Sequence, residues 1–124
     1  MSFALWMILV AILLPIVTAG ASKAGAAGYD NSQPRAWSEH LSGWRQRANW
    51  AHRNHFEALP GFAAAVLVAT LTHANPATVN LLAGVWVVSR IVYTLCYVFD
   101  RPSLRSALFG VALFCVIGLF VASA

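Results

Sequence analysis

Both ends of this chain are free of ionised side chains. All eight Lys and Arg and all four Asp and Glu residues fall between Lys23 and Arg105, leaving none in residues 1–22 or 106–124. A soluble domain carries about 25% charged residues, whereas this chain carries 10%, with 60% hydrophobic residues and a mean hydropathy of +0.69. Its class is therefore membrane. A spanning helix needs about 20 mostly apolar residues. Four stretches approach that length: Phe3 to Ala21, Leu59 to Thr72, Thr78 to Phe99 interrupted only by Arg90, and Ser106 to Ala122. Strands or loops in lipid would leave backbone groups unpaired. The expectation is an all-α integral membrane four-helix bundle, a single domain over residues 1–124, with helices over about 3–21, 47–73, 76–99 and 103–123.

The first segment imitates a signal peptide at Ala19-Gly20-Ala21. It has no basic n-region in residues 1–6, however, and its apolar run is longer than a usual h-region, so it is expected to remain a helix. Lys23, Arg35, Arg45, Arg47 and Arg53 flank the first connection, and Arg101 and Arg105 the third, while the second connection and both termini have no Lys or Arg. Basic residues near helix ends stay in the cytoplasm. A multi-pass protein follows, with the connection over 22–46 cytoplasmic and, by the sequence reading, a bacterial inner membrane as its site. Turn residues Gly25, Gly28 and Pro34 mark that connection. A structureless loop of its length is unusual, so part of it should be ordered, with the stretch from Trp37 onward prolonging the second helix. Trp37, Trp44 and Trp50 would then lie at the interface.

The net charge of +4 does not point to nucleic acid, because the basic residues hug the membrane and no soluble domain carries a binding face. Anionic headgroups or a small anionic ligand are more natural partners. Cys96 and Cys115 fall inside helices without metal or redox spacing. Of the four histidines, His52 and His55 share one helical turn but have neither an HExxH pattern nor a third ligand, so no metal site is expected. The histidines read instead as interfacial polar groups. No phosphate loop or Ser-His-Asp order is present.

The polar mouth of the second helix, RANWAHRNHFEALPGFAAAV, raises the functional question. On a helix of about 3.6 residues per turn, Trp50, Asn54, Glu57 and Gly61 share a face with Arg47 one turn earlier, and Arg53 and Glu57 are spaced to pair. In the third helix Arg90, Tyr93 and Tyr97 stack on one face. Arg90 lies where an unpaired guanidinium is strongly disfavoured, and Glu57 is the acidic residue at comparable depth. A buried Arg90 to Glu57 pair is predicted, serving register, ligand binding or both. Arg105-Ser106 opens the fourth helix on the same side as Arg47, Arg53 and Asn54. Guanidinium groups so grouped suit a small anion with several carboxylates. Pro60 removes a helical hydrogen bond to Phe56 beside Glu57, and Asn75-Pro76 and Arg101-Pro102 read as helix starts.

These residues resemble a family pattern. Ala51-His52-Arg53-Asn54 followed by Glu57 and Pro60, then Arg90 with Tyr93 and Tyr97, then Arg105-Ser106, is similar to the MAPEG family, the membrane-associated proteins of eicosanoid and glutathione metabolism. The resemblance extends from about Trp44 to the C-terminus. It implies a homotrimer of four-helix subunits with glutathione, as co-substrate, bound between neighbours and open to the cytoplasm. The glutathione-binding residues implied are Arg47, His52, Arg53, Asn54, Glu57, Arg90, Tyr93 and Tyr97, with Arg105 activating the thiol and Ser106 assisting. Trp50 stands where several relatives have an arginine, and Arg47 lies one turn away as a substitute.

The chemistry implied is that of a glutathione transferase or peroxidase acting on hydrophobic electrophiles. A free thiol has a pKa near 8.5, and the thiolate is the nucleophile. A guanidinium that lowers this value by about one to two units raises the reactive fraction roughly tenfold or more. A lipid-dissolved substrate would reach the sulfur sideways through the bilayer. The alternative is a non-catalytic relative, an assembly partner or accessory subunit that keeps the polar cluster for packing. A small transporter ranks last, for lack of internal symmetry or broken helices.

Overall fold

The computed structural model describes residues 1–124 as five helices: α1 (Phe3–Lys23), α2 (Pro34–Glu39), α3 (Gly43–Leu71), α4 (Pro76–Val98) and α5 (Pro102–Ala122). Their boundaries follow from local chemistry. Proline occupies the first turn of α2, α4 and α5, where its missing N–H costs nothing. Asn75 caps α4 with its side-chain oxygen, accepting from the amides of Ala77 at 2.9 Å and Thr78 at 3.3 Å. Two helices end by the same device. His73 (φ +58°) and Asp100 (φ +56°) turn left-handed after α3 and α4, and the next amides reach back to Ala69 O at 3.0 Å and Cys96 O at 2.8 Å.

The connection over 22–46 departs from the expectation. The helix containing Trp37 is not an extension of α3; it ends at Glu39, and α3 restarts at Gly43 with φ +59°. Proline at the head of α2 and a left-handed glycine at the head of α3 together turn the chain, so helix periodicity does not carry across. Tyr29 packs edge-on against Trp37 at 4.9 Å, and Arg45 donates to Ser22 O and Ala24 O at the end of α1. The connection is thus partly ordered.

The most extensive helix pairings are α4 with α5 and α1 with α3, with α3 also against α4 and α1 against α4. Small residues make these approaches possible. Ala4, Ala11, Ala65, Ala69, Ala83 and Ala112 are buried, which suits a lipid environment where close van der Waals contact holds helices together. Phe62 of α3 and Trp86 of α4 stack face to face at 3.8 Å and are both buried. Cys96 and Cys115 are buried, unpaired thiols.

Helices α1, α4 and α5 are long and apolar enough to cross a membrane. At 29 residues α3 spans about 43 Å, but its first half carries Arg45, Arg47, Arg53 and Glu57. Most large apolar side chains on α1 and α5 face outward, including Ile16, Val17, Phe114 and Val121. Such a surface belongs in lipid or against another apolar surface. This is a helical membrane protein whose long, partly polar α3 runs beside the arginine-bearing α4.

Candidate functional site at the polar end of α3 and α4

Arg90 is the centre of the polar cluster and is 0% exposed. At 1.5 Å per residue it lies roughly 21 Å along α4 from Pro76, well inside a hydrocarbon layer of about 30 Å. Placing an arginine at such depth costs roughly 2.5 to 3.5 kcal/mol on insertion scales. Its Nη2 donates to Asn54 Oδ1 at 2.8 Å, and Nη2 and Nε both approach His55 Nδ1, at 3.0 and 3.3 Å. Hydrogen bonds from a charged group contribute about 1.5 to 3 kcal/mol each, so two partners are enough to offset the cost. The guanidinium also lies 4.1 Å above the Tyr93 ring, a contact worth about 2 kcal/mol when desolvated. Its Nη1 is buried with no hydrogen-bond partner.

The predicted Arg90 to Glu57 pair is therefore corrected: Arg90 hydrogen-bonds to Asn54 and His55 rather than to Glu57. Glu57 Oε2 instead accepts from Asn54 Nδ2 at 3.1 Å, so Asn54 links the two charges through its amide. Arg53, spaced to pair with Glu57, lines a different cavity from it. The reason is helical phase: His55 follows Asn54 by one residue, which swings its ring towards α4 while Glu57 stays at the exposed edge. His55, read from sequence as an interfacial group, is 2% exposed and belongs to the core of the cluster. Its Nε2 meets Thr94 Oγ1 at 2.7 Å. A histidine inside a polar run that meets an arginine of another helix has no sequence signature, which is why this role was not legible.

Tyr93 and Tyr97 continue along α4, edge to face at 5.3 Å. Arg105, at the first turns of α5, places its guanidinium 4.4 Å over Tyr97. The two arginines thus sit against consecutive tyrosines on one surface. Ser106 is exposed. Between α3, α4 and α5 lies a cleft of about 360 Å³ with Asn54, Glu57 and Arg90 on its polar side and Phe109, Leu113 and Val116 among its apolar walls.

The remaining sequence candidates lie elsewhere. Arg47 donates to Tyr97 O at 2.9 Å and Val98 O at 3.0 Å, adding side-chain hydrogen bonds to the last carbonyls of α4. His52 Nδ1 approaches Pro15 O of α1 at 2.8 Å. His52 and Arg53 line a second cavity of about 480 Å³, on the α1 and α2 side, together with Lys23, Arg35 and Asn49. Asn49 is 8% exposed and was not singled out from the sequence. The structure thus divides the expected residues into an Asn54, Glu57 and Arg90 cleft, a Tyr93, Tyr97 and Arg105 ladder beside it, and a separate cationic pocket.

Apolar spanning helices and a buried arginine beside an interhelical cleft define a helical membrane protein with a polar cluster set among its helices. The chain belongs to the MAPEG family, whose model matches residues 3–124. Comparison with curated proteins and with solved structures gave no match. Family membership places it among glutathione-related or eicosanoid-metabolism membrane proteins.

Proposed function

We propose that this protein is a membrane-bound glutathione-dependent transferase or peroxidase acting on hydrophobic electrophiles. The observation that carries this reading is the Arg90 and Arg105 ladder on Tyr93 and Tyr97, set beside a cleft with one polar and one apolar side. Such a cleft suits a co-substrate with anionic ends and a reaction partner that arrives from lipid. Arg105 is the candidate for thiol activation. It is half-buried, always charged, and its planar group is held in place by the Tyr97 ring.

Near Arg105 the glutathione thiol gives its proton to water. The thiolate lone pair then forms a C–S bond to the electrophilic carbon, and the leaving group departs with the bonding pair or, in an addition, a proton returns to the acceptor. With a hydroperoxide the thiolate attacks the terminal oxygen instead, the O–O bond breaks with the alkoxide leaving and taking a proton from water to become the alcohol, and the thiol of a second glutathione condenses with the resulting sulfenic acid to give the disulfide and water. Ser106, exposed and next to Arg105 at the start of α5, is the candidate to assist.

Glutathione is proposed to lie between subunits of a homotrimer. His52 and Arg53 line a pocket other than the Arg90 cleft, so a ligand that uses both sets must draw them from two chains. A closed three-fold ring that sets the cationic pocket of one subunit against the cleft of the next meets that need and covers Glu57, which is exposed in a single chain. Membership of a bacterial inner membrane, with the connection over 22–46 in the cytoplasm, completes the reading.

Calorimetric titration of glutathione into the detergent-purified protein tests the site. Saturable binding is expected, and Arg105→Ala should cut turnover about a hundredfold or more while the protein stays folded and associated, the loss typical of removing a group that stabilises developing charge. A well-folded wild-type protein that binds no glutathione would retire the transferase reading in favour of an accessory or assembly role.

A further inference from the structure

His55 closes a hydrogen-bonded ring across α3 and α4, and the ring dictates its protonation. A guanidinium has donors and no acceptor. His55 Nδ1, reached by Arg90 Nε and Nη2, must therefore carry a lone pair. Thr94 Oγ1 donates to Arg90 O at 3.0 Å, so its hydrogen is used and its oxygen accepts from His55 Nε2–H at 2.7 Å. The imidazole is the neutral Nε2–H tautomer. Asn54, the other partner of Arg90, is also neutral. No carboxylate hydrogen-bonds to this buried cation, and its Nη1 points at no acceptor in the chain.

We propose that His55, held as the neutral Nε2–H tautomer by Arg90 and Thr94, is the positioning residue that fixes Arg90 without a directly hydrogen-bonded counter-ion, so that the guanidinium, which Glu57 reaches only through Asn54, stays available to an anionic group of the ligand in the cleft. The inference rests on the reading of that cleft as the glutathione site and specifies what it selects. A chain that needed Arg90 only for helix register would be served equally well by a carboxylate at position 55. A neutral acceptor holds the guanidinium in the same geometry without cancelling its field.

Aspartate and asparagine make the comparison clean, because each puts an oxygen near the place of His55 Nδ1 and they differ in charge rather than size. Neither retains the bond to Thr94, so that loss cancels between them. Glutathione affinity should be at least about tenfold weaker in His55→Asp than in His55→Asn. Ligand-free thermal melting in detergent should move the other way, with His55→Asp the more stable of the two, since the buried cation gains a counter-ion. Equal affinities, or His55→Asp the less stable variant, would overturn the proposal. Nitrogen-15 spectra of the histidine-labelled wild-type protein, assigned by loss of the signal in His55→Asn, should show a pyridine-type Nδ1 and a pyrrole-type Nε2. A protonated Nδ1 would sink the idea by itself. If wild type binds no glutathione, the transferase reading fails, while melting and tautomer still decide whether Arg90 is held as a lone cation.

Discussion

Arginine does three different jobs in this small protein, and the partners of each side chain separate them. Arg90 is buried and held by neutral groups, Arg105 rests on an aromatic face beside the cleft, and Arg47 is spent on the carbonyls that end α4. The sequence places Arg47 one turn before the site and invites its use as a ligand group. In the folded chain its guanidinium is instead engaged by the Tyr97 and Val98 carbonyls. Arg47→Ala should lower thermal stability by about 1 to 2 kcal/mol, through lost hydrogen bonds to the carbonyls at the C-terminal end of α4, and weaken glutathione binding less than Arg105→Ala does. Melting curves paired with calorimetry test this; unchanged melting with abolished binding would show Arg47 to be a ligand residue after all.

Helix ends set the geometry of the elements. The tight connection between α3 and α4 uses a left-handed His73 and an Asn75 cap, so the two site-bearing helices are locked as antiparallel neighbours by four residues of turn chemistry. An L-residue pays roughly 1 to 2 kcal/mol in that left-handed region, and a side-chain cap is worth about 1 kcal/mol. His73→Gly should therefore raise the melting temperature and Asn75→Ala should lower it. Both changes lie far from Arg90 and should leave glutathione affinity alone. If either shifts affinity as strongly as stability, the turn is also setting the register of the site, and the two helices are less rigidly paired than their packed Ala, Phe62 and Trp86 contacts indicate.

Assembly is a question for the whole molecule, because the cleft and the cationic pocket open on different parts of one chain. The proposed trimer would make each glutathione a bridge between subunits. Mass measurement of the detergent complex should give three copies. Co-expression of tagged Arg53→Ala and Arg105→Ala chains offers a sharper test: each is expected to be inactive alone, and mixed assemblies should regain part of the activity, since some interfaces then hold both arginines. No recovery in verified mixed assemblies would place Arg53 and Arg105 in the same site of one subunit or remove Arg53 from the site.

The three apolar helices α1, α4 and α5 were readable in the chain because their signals are local, whereas α2 was not foreseen as a separate helix. Uninterrupted apolar runs, charge confined between Lys23 and Arg105, and proline or asparagine at the starts of α4 and α5 act within a few residues and need no distant partner. The stacking of Arg90, Tyr93 and Tyr97 on one face was legible for the same reason, as a consequence of helical period. Partner choice was not legible. Whether Arg90 meets Glu57 or His55 depends on the rotation of α3 against α4, an angle set by alanine contacts and the Phe62 and Trp86 stack along the whole interface. Likewise, adjacent residues Arg53 and Asn54 read as one motif, yet about 100° of helical turn sends them to different cavities. A sequence ranks side chains by type and spacing, but a buried charge is satisfied by whichever acceptor the packed helices bring within hydrogen-bonding distance, and only the folded chain determines which that is.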